Sequence, residues 1–239
     1  MPNACLSCSN ILKRSFDITA AAIGLIVISP LLLVIALIVK LGSKGPVVYC
    51  QQRIGRDFQP FMIYKFRTMR PGSDADGNTC TIKGDSRITP IGRFLRKTKL
   101  DEMPQLFNVL FGDMSLVGPR PEVAQYVEMF REDYKTVLSV RPGITDYAAI
   151  EYSNEEEILQ LLCGGTTERL DGEAAGQLGD GELSSQAAQA PGGRYASAHE
   201  AYVAIILPAK VALYKKYIAE QSFLKDLKIL IRTLGKIAS

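Results

Sequence analysis

The feature that most restricts this chain is the stretch ITAAAIGLIVISPLLLVIALIV, residues 18–39, which carries no charge. As a helix it would extend about 33 Å, enough for a bilayer core. A signal peptide has a shorter apolar region that ends at a small-residue cleavage site; this one runs straight into Lys40. Ser29-Pro30 sits in mid-segment. Proline removes an N–H and collides with the carbonyl four residues back, here Ile26, which kinks or breaks a helix. In lipid that carbonyl needs a new partner, and the Ser29 hydroxyl can supply one. Positive residues mark the cytoplasmic side of a membrane segment. Here both flanks are positive, with Lys13 and Arg14 before the segment and Lys40, Lys44, Arg53 and Arg56 after it. A broken, re-entrant helix that enters and leaves by one face meets both observations. A kinked spanning helix is the alternative.

The rest of the 239 residues has ordinary apolar content, so a sizeable core can form. A net charge of +3 is too small to imply a nucleic-acid partner, and none is expected. Five cysteines without regular spacing are not a disulfide framework and point to a reducing compartment. The lone CxxC at Cys5 and Cys8 lacks the four ligands of a structural zinc site.

The predicted organisation is mainly α with a small β-hairpin. A tail occupies 1–12 and the membrane helix 13–41. A catalytic domain spans 42–159, a flexible loop or insertion 160–198, and amphipathic C-terminal helices 199–239. Residues 46–69 read as the hairpin, with Gly55-Arg56-Asp57 as its turn. Residues 71–86 read as a loop. A short helix over 91–99 turns Ile91, Phe94 and Leu95 inward. A second runs from about Glu102 to Phe111, with Leu106, Val109 and Leu110 at helical spacing. Arg141-Pro142-Gly143 is a turn. Residues 163–198 are rich in glycine and small polar residues and cannot bury a core. Pro208 suits the first turn of a helix ending near Ala219, and Ser222 caps another. Along that last helix Phe223, Leu227, Leu230, Ile231 and Leu234 form an apolar stripe, with Lys225, Lys228, Arg232 and Lys236 off it. It either packs on the domain or lies on anionic lipid.

The chemistry centres on adjacent carboxylates, Asp101 and Glu102. They follow a basic run of Lys83, Arg87, Arg93, Arg96, Lys97 and Lys99, against one acid, Asp85. Pro104 is tolerated only in a first helical turn, which makes Asp101 the expected N-cap, stabilised as an anion. The bland reading is a cap and a first-turn acid and nothing more. Arg96 and the proline-stiffened Arg120 suit phosphate oxygens, although Arg120 taken by itself reads slightly better as a surface turn. Carboxylates beside phosphates imply Mg²⁺. An ionised carboxylate can also attack phosphorus without giving up a proton, so the chain's single histidine, His199, need not take part.

These residues lie in stretches that are specific together: KRSFDITAAAIGLIVISPLLLVIALIVK, GPVVYCQQRIG, FMIYKFRTM, SRITPIGRFLRKTKLDEMPQLFNVLFGDMSLVGPRP, VRPGIT and SFLKDLKILIRTL. In them the chain resembles the bacterial sugar transferases, the monotopic phosphoglycosyl transferases that start assembly of lipid-linked glycans. The resemblance implies a re-entrant helix broken at Ser29-Pro30, association with membrane lipids of the bacterial inner membrane, and a Mg²⁺-dependent active site on the cytoplasmic face. It implies that Asp101 attacks the β-phosphate of a UDP-sugar, releases UMP, and passes the phosphosugar to undecaprenyl phosphate. Glu102 matches the second acid of the family's pair, in metal binding or proton handling. Arg96 and Arg120 match phosphate-binding arginines, Arg53 and Lys65 match further basic positions, and Asp226 matches a C-terminal acid. Many members continue from RPGIT into a Gly-Trp-Ala-Gln-like stretch, where this chain has Asp146-Tyr147-Ala148-Ala149-Ile150, so the sugar is left open. The 160–198 segment is longer than in a minimal member, as a lid or an inert insertion, and the expected type is the small, stand-alone one. A homo-oligomer is left open. The competing readings are a membrane-bound phosphohydrolase and a non-enzymatic membrane-surface adaptor.

Overall fold

A computed structural model describes residues 3–73, 80–82, 84–153, 155–163 and 195–238. Lys83, the Cys5 and Cys8 side chains and residues 164–194 of the expected insertion lie outside what it describes. The fold is mostly helical with two small sheets. Helix α1 spans Asn3–Gly42, β1 Val48–Ile54, β2 Pro60–Phe66, α2 Pro90–Lys97 and α3 Gln105–Phe111. Strand β3 (Ser115–Val117) leads to α4 (Ala124–Met129) and α5 (Arg131–Val137), then to β4 (Gly143–Thr145), α6 (Tyr147–Glu151) and α7 (Glu155–Cys163). After the gap come α8 (Ala198–Ala201), a π-helical stretch at Tyr202–Ile206, α9 (Leu207–Ala219) and α10 (Phe223–Ala238).

Helix α1 starts well before the apolar segment and stays helical through Pro30, so the expected interruption does not appear as a loss of helix. The freed Ile26 carbonyl is satisfied as the sequence suggests, since the Ser29 hydroxyl donates to it at 2.9 Å. Residues 11–42 are long and apolar enough to cross a membrane, and Ile26, Val27, Leu33 and Leu41 are at least 70% exposed. Such a run marks the chain as membrane-associated. Yet α1 is docked at both ends. Near its start, Arg14 donates to the carbonyls of Leu110 (3.3 Å) and Met114 (3.4 Å), and Asp17 accepts from the Ser115 hydroxyl (2.8 Å). Near its end, Ile35 and Val39 pack with Phe66 and Leu95, and Arg67 donates to the carbonyls of Val39 and Ser43.

Strands β1 and β2 form the expected antiparallel hairpin, Val48 opposite Phe66 and Ile54 opposite Pro60, closed by a 3-10 turn at Arg56–Phe58. Helix α2 is N-capped by the Thr89 side chain, which accepts from the Gly92 N–H at 3.0 Å. Leu95 is fully buried there, an effect worth roughly 1.5–3 kcal/mol for such a side chain. Phe94, expected inward, is 55% exposed. A helix this short has room for one inward stripe, and Ile91 and Leu95, four residues apart, fill it.

A second sheet, absent from the sequence reading, pairs β3 and β4 in parallel, Ser115 opposite Gly143 and Val117 opposite Thr145. Gly118 and Gly143 permit it, because a Cβ on Gly143 would strike the Gly118 backbone and one on Gly118 would strike the Arg141 carbonyl. The largest core joins Tyr126 and Val127 of α4, Tyr134 and Val137 of α5, Ile158, Leu159 and Leu162 of α7, and Leu207, Val211 and Tyr214 of α9. On α10 the expected stripe divides. Phe223 packs on Phe16 and Leu230 packs beside the buried Ile229, whereas Leu227, Ile231 and Leu234 join Leu224 on an exposed apolar face.

Candidate active site

The two carboxylates sit on a turn and not on the helix. Lys99 adopts a left-handed backbone (φ 56°), and the chain swings from α2 into a 3-10 turn at Leu100–Glu102. Helix α3 begins only at Gln105, with Pro104 as its N-cap. The expected N-cap role of Asp101 is therefore wrong. Proline's fixed φ suits a residue just before a helix as well as one in its first turn. Asp101 is 7% exposed, and its Oδ1 is buried without a hydrogen-bond partner among the described residues. Burial first, and the adjacent Glu102 second, push its pKa up to about 6, against the pull of Lys65, Arg96 and Lys99. This reverses the expected stabilisation of the anion by a helix end.

Glu102 has the opposite environment. Lys65, on β2, donates to its Oε1 at 3.0 Å. Arg120 donates through Nη1 to Oε2 at 3.2 Å and through Nη2 to Oε1. Burial alone would raise the Glu102 pKa, but Arg120 and Lys65 outweigh it and hold the carboxyl well below its usual range. Lys65 in turn is lowered by burial, with Glu102 acting against that. Two neighbouring acids are thus driven apart: Glu102 is a fixed anion and Asp101 titrates near pH 6, the pattern expected of groups with different chemical tasks.

The segment carrying Arg120 is anchored at each residue. The Pro119 carbonyl accepts from the Gly143 N–H at 2.9 Å. The Arg120 N–H donates to Asp146 Oδ2 at 2.9 Å. The Pro121 carbonyl accepts from Arg53 Nη1 at 3.1 Å. Asp146 also caps α6 by accepting from the Ala149 N–H at 2.6 Å, and burial raises its pKa to about 6. Arg53 further contacts Gln51 (2.7 Å) and Glu122 (3.3 Å), so it braces the Arg120 turn. Arg96 donates through Nη1 to Glu156 Oε1 at 2.6 Å, with Thr68 and Thr81 taking its other nitrogens.

Of the residues singled out in the sequence, Asp101, Glu102, Lys65 and Arg120 come together, Arg96 lies close enough for its charge to act on Asp101, and Arg53 stands behind. Asp226 is elsewhere. It pairs with Lys13 at 2.5 Å and accepts from the Tyr217 hydroxyl at 2.7 Å, tying α10 to the start of α1. Sequence reading gave no role to Asp146, Glu122 or Glu156; only Asp146 carried a signal, as a departure from the family pattern. Two clefts among the described residues share Arg56 and Arg141, and neither is lined by Asp101 or Glu102.

A divalent cation needs a carboxylate oxygen that no protein donor already holds. Asp101 Oδ1, buried but without a hydrogen-bond partner among the described residues, is such an oxygen, whereas both oxygens of Glu102 are taken by Arg120 and Lys65. Among the described residues no group of three metal-ligating side chains occurs, so a cation here would rely on one carboxylate and on phosphate oxygens.

Residues 8–169 match the family model described as bacterial sugar transferase. The chain belongs to that family. Similar curated members include the UDP-glucose:undecaprenyl-phosphate glucose-1-phosphate transferase of Klebsiella pneumoniae, 48% identical over 156 residues, covering 64% of this chain and 34% of that protein. The UDP-N-acetylgalactosamine-undecaprenyl-phosphate N-acetylgalactosaminephosphotransferase of Aeromonas hydrophila is 45% identical over 142 residues, 58% of this chain and 34% of its own length. A putative undecaprenyl-phosphate N-acetylgalactosaminyl 1-phosphate transferase of Bacillus subtilis is 43% identical over 122 residues, 51% of this chain and 68% of that protein. The chain thus spans about a third of the length of the first two family members. Their names differ in the sugar.

Proposed function

We propose that this chain transfers a sugar 1-phosphate from a UDP-sugar to undecaprenyl phosphate, releasing UMP, through a covalent phosphosugar on Asp101, as a membrane step that starts glycan assembly. The observation that carries the reading is the buried, unpartnered Asp101 Oδ1 beside a Glu102 already neutralised by Arg120 and Lys65. An Asp101 oxygen bonds to the β-phosphorus, and the bond from that phosphorus to the bridging oxygen breaks, so UMP leaves with that oxygen. A phosphate oxygen of undecaprenyl phosphate then bonds to the same phosphorus, and the bond to Asp101 breaks, which restores the carboxylate. No proton leaves Asp101 in either step. Arg96 would orient the donor phosphates, and Glu102 with Lys65 and Arg120 forms a rigid charged wall behind the nucleophile. Asp101 would hold Mg²⁺, which supplies charge neutralisation for the pyrophosphate. The names borne by the family members support the substrate classes.

The reaction is tested by assaying UMP and UDP separately from a panel of UDP-sugars with undecaprenyl phosphate. Lipid-dependent UMP supports it. UDP would mean direct glycosyl transfer, and UMP without lipid would mean hydrolysis. Because Asp101 must be ionised and burial pushes its pKa up to about 6 without a metal, kcat/KM is expected to fall on acidification, with the onset moving to lower pH as Mg²⁺ is raised. A kcat/KM that rises as the pH falls from about 7 to about 5 would contradict Asp101 as the nucleophile.

The membrane segment is proposed to be re-entrant, with the active site on the cytoplasmic face. Support comes from the docking of both its ends on the same domain and from cations on both flanks. The exposed leucines of α10, with Lys225, Lys228 and Arg232 beside them, suit an anionic lipid surface. Cysteines placed at Asn10 and Lys44 in an otherwise cysteine-free chain are expected to resist an impermeant maleimide in intact spheroplasts and to react after lysis. Labelling of one of them from outside would mean a spanning helix.

A further inference from the structure

Arg96 is the one phosphate-binding candidate whose counter-ion is open to water. Glu102, the counter-ion of Arg120 and Lys65, is shielded, with its side chain only 10% exposed. In the Arg96–Glu156 pair the Glu156 side chain is 44% exposed. Glu156 Oε1 sits 2.6 Å from Arg96 Nη1, where a phosphate oxygen would bind. The remaining guanidinium nitrogens are aimed by the Thr68 and Thr81 hydroxyls at 3.3 and 3.4 Å. Arg96 is therefore aimed by neutral groups, and its one ion-pair partner among the described residues, Glu156, is the replaceable one.

The backbone behind Glu156 is fixed. Ile158, Leu159 and Leu162 of α7 are buried in the main core, and the preceding Glu155 pairs with the buried Lys210. An incoming phosphate can displace the Glu156 side chain by a rotamer change without moving α7. A half-exposed ion pair adds little to stability, so the displacement costs little, but every donor must bear it.

We propose that Glu156 sets the affinity for the nucleotide diphosphate by occupying Arg96 in its absence. The proposal rests on the transferase reading above, in which Arg96 binds donor phosphate. Glu156 is a positioning residue and not a catalytic one. It is the group that phosphate replaces on Arg96, whose direction is set by Thr68 and Thr81.

The test is calorimetric titration of the full-length protein in detergent, with Mg²⁺, by UDP and by uridine. Glu156→Gln is expected to tighten UDP about two- to fivefold and to leave uridine unchanged. In an Arg96→Ala background the same substitution is expected to have no effect on UDP, which separates competition at Arg96 from a general change in charge. Equal or weaker UDP binding by the single variant, a gain that persists without Arg96, or no UDP binding by either protein would each overturn the proposal. UDP affinity is read without turnover. Lipid-dependent UMP release with an unchanged UDP affinity in Glu156→Gln would therefore sink this inference alone. Tightened UDP binding without any UMP release would sink the transferase reading alone.

Discussion

Asp101→Asn is expected to abolish UMP release, by at least about a thousandfold as for loss of other catalytic nucleophiles, while making the protein more stable. The stability claim follows from the sign of the shift. The Asp101 carboxyl titrates at about 6 in the fold, against 3.8 in an unfolded chain. Its ionised form is therefore disfavoured by folding. That cost is absent below about pH 4, where both states are protonated, and is fully present above about pH 6. The amide carries no charge and escapes it. The gain is on the order of 1–3 kcal/mol at pH 7.5, part of the two-unit shift being shared with Glu102. For a chain of this size that raises Tm by about 5 °C. Thermal unfolding in detergent at pH 7.5 and 4.5 checks it: the variant's advantage shrinks at the lower pH. A variant that is inactive and less stable at pH 7.5 would mean that Asp101 is a structural carboxylate.

Arg120→Ala is expected to be the most damaging single change. It removes both guanidinium bonds to a buried Glu102 and leaves Lys65 as that carboxylate's one remaining ion-pair partner among the described residues. Stripping one member from a fully buried pair costs about 3–5 kcal/mol. Here about 2–3 kcal/mol is expected, because nearly a third of the Arg120 side chain meets water. Activity is lost as well, since the wall behind Asp101 loses its fixed charge. Arg120→Lys restores a charge but not the fork, so it recovers part of the stability and little activity. Denaturant midpoints for the two variants check the order. Equal midpoints for Ala and wild type would show that Arg120 is not holding Glu102.

The hairpin, the acid pair and the C-terminal helices were legible because their signals are local. Strand formers flank Gly55, Pro208 sits in the first turn of α9, and the Ser222 hydroxyl accepts from the Lys225 N–H. The Ser29 bond to Ile26 was legible for the same reason, being three residues long. What was lost depended on partners far along the chain. Asp146 reaches Arg120 across 26 residues, Glu156 reaches Arg96 across 60, and Lys13 reaches Asp226 across 213. No periodicity announces such contacts. The Asp101 environment was misread for a subtler reason. Pro104 reads the same before a helix as inside its first turn, and the left-handed Lys99 that decides between them carries no glycine to mark it. The parallel pairing of β3 and β4 was hidden because each strand is only three residues long.

The measurement that bears most directly on the central claim is the intact mass of the protein after incubation with its UDP-sugar and Mg²⁺, without undecaprenyl phosphate, followed by an acid quench. The account predicts a mass increase of one phosphosugar, mapped to the peptide that carries Asp101. It predicts none in Asp101→Asn, and loss of the adduct when undecaprenyl phosphate is added before the quench. UMP release that requires the lipid, with no adduct at any time before it, would contradict the account and mean direct attack of the lipid phosphate on the donor.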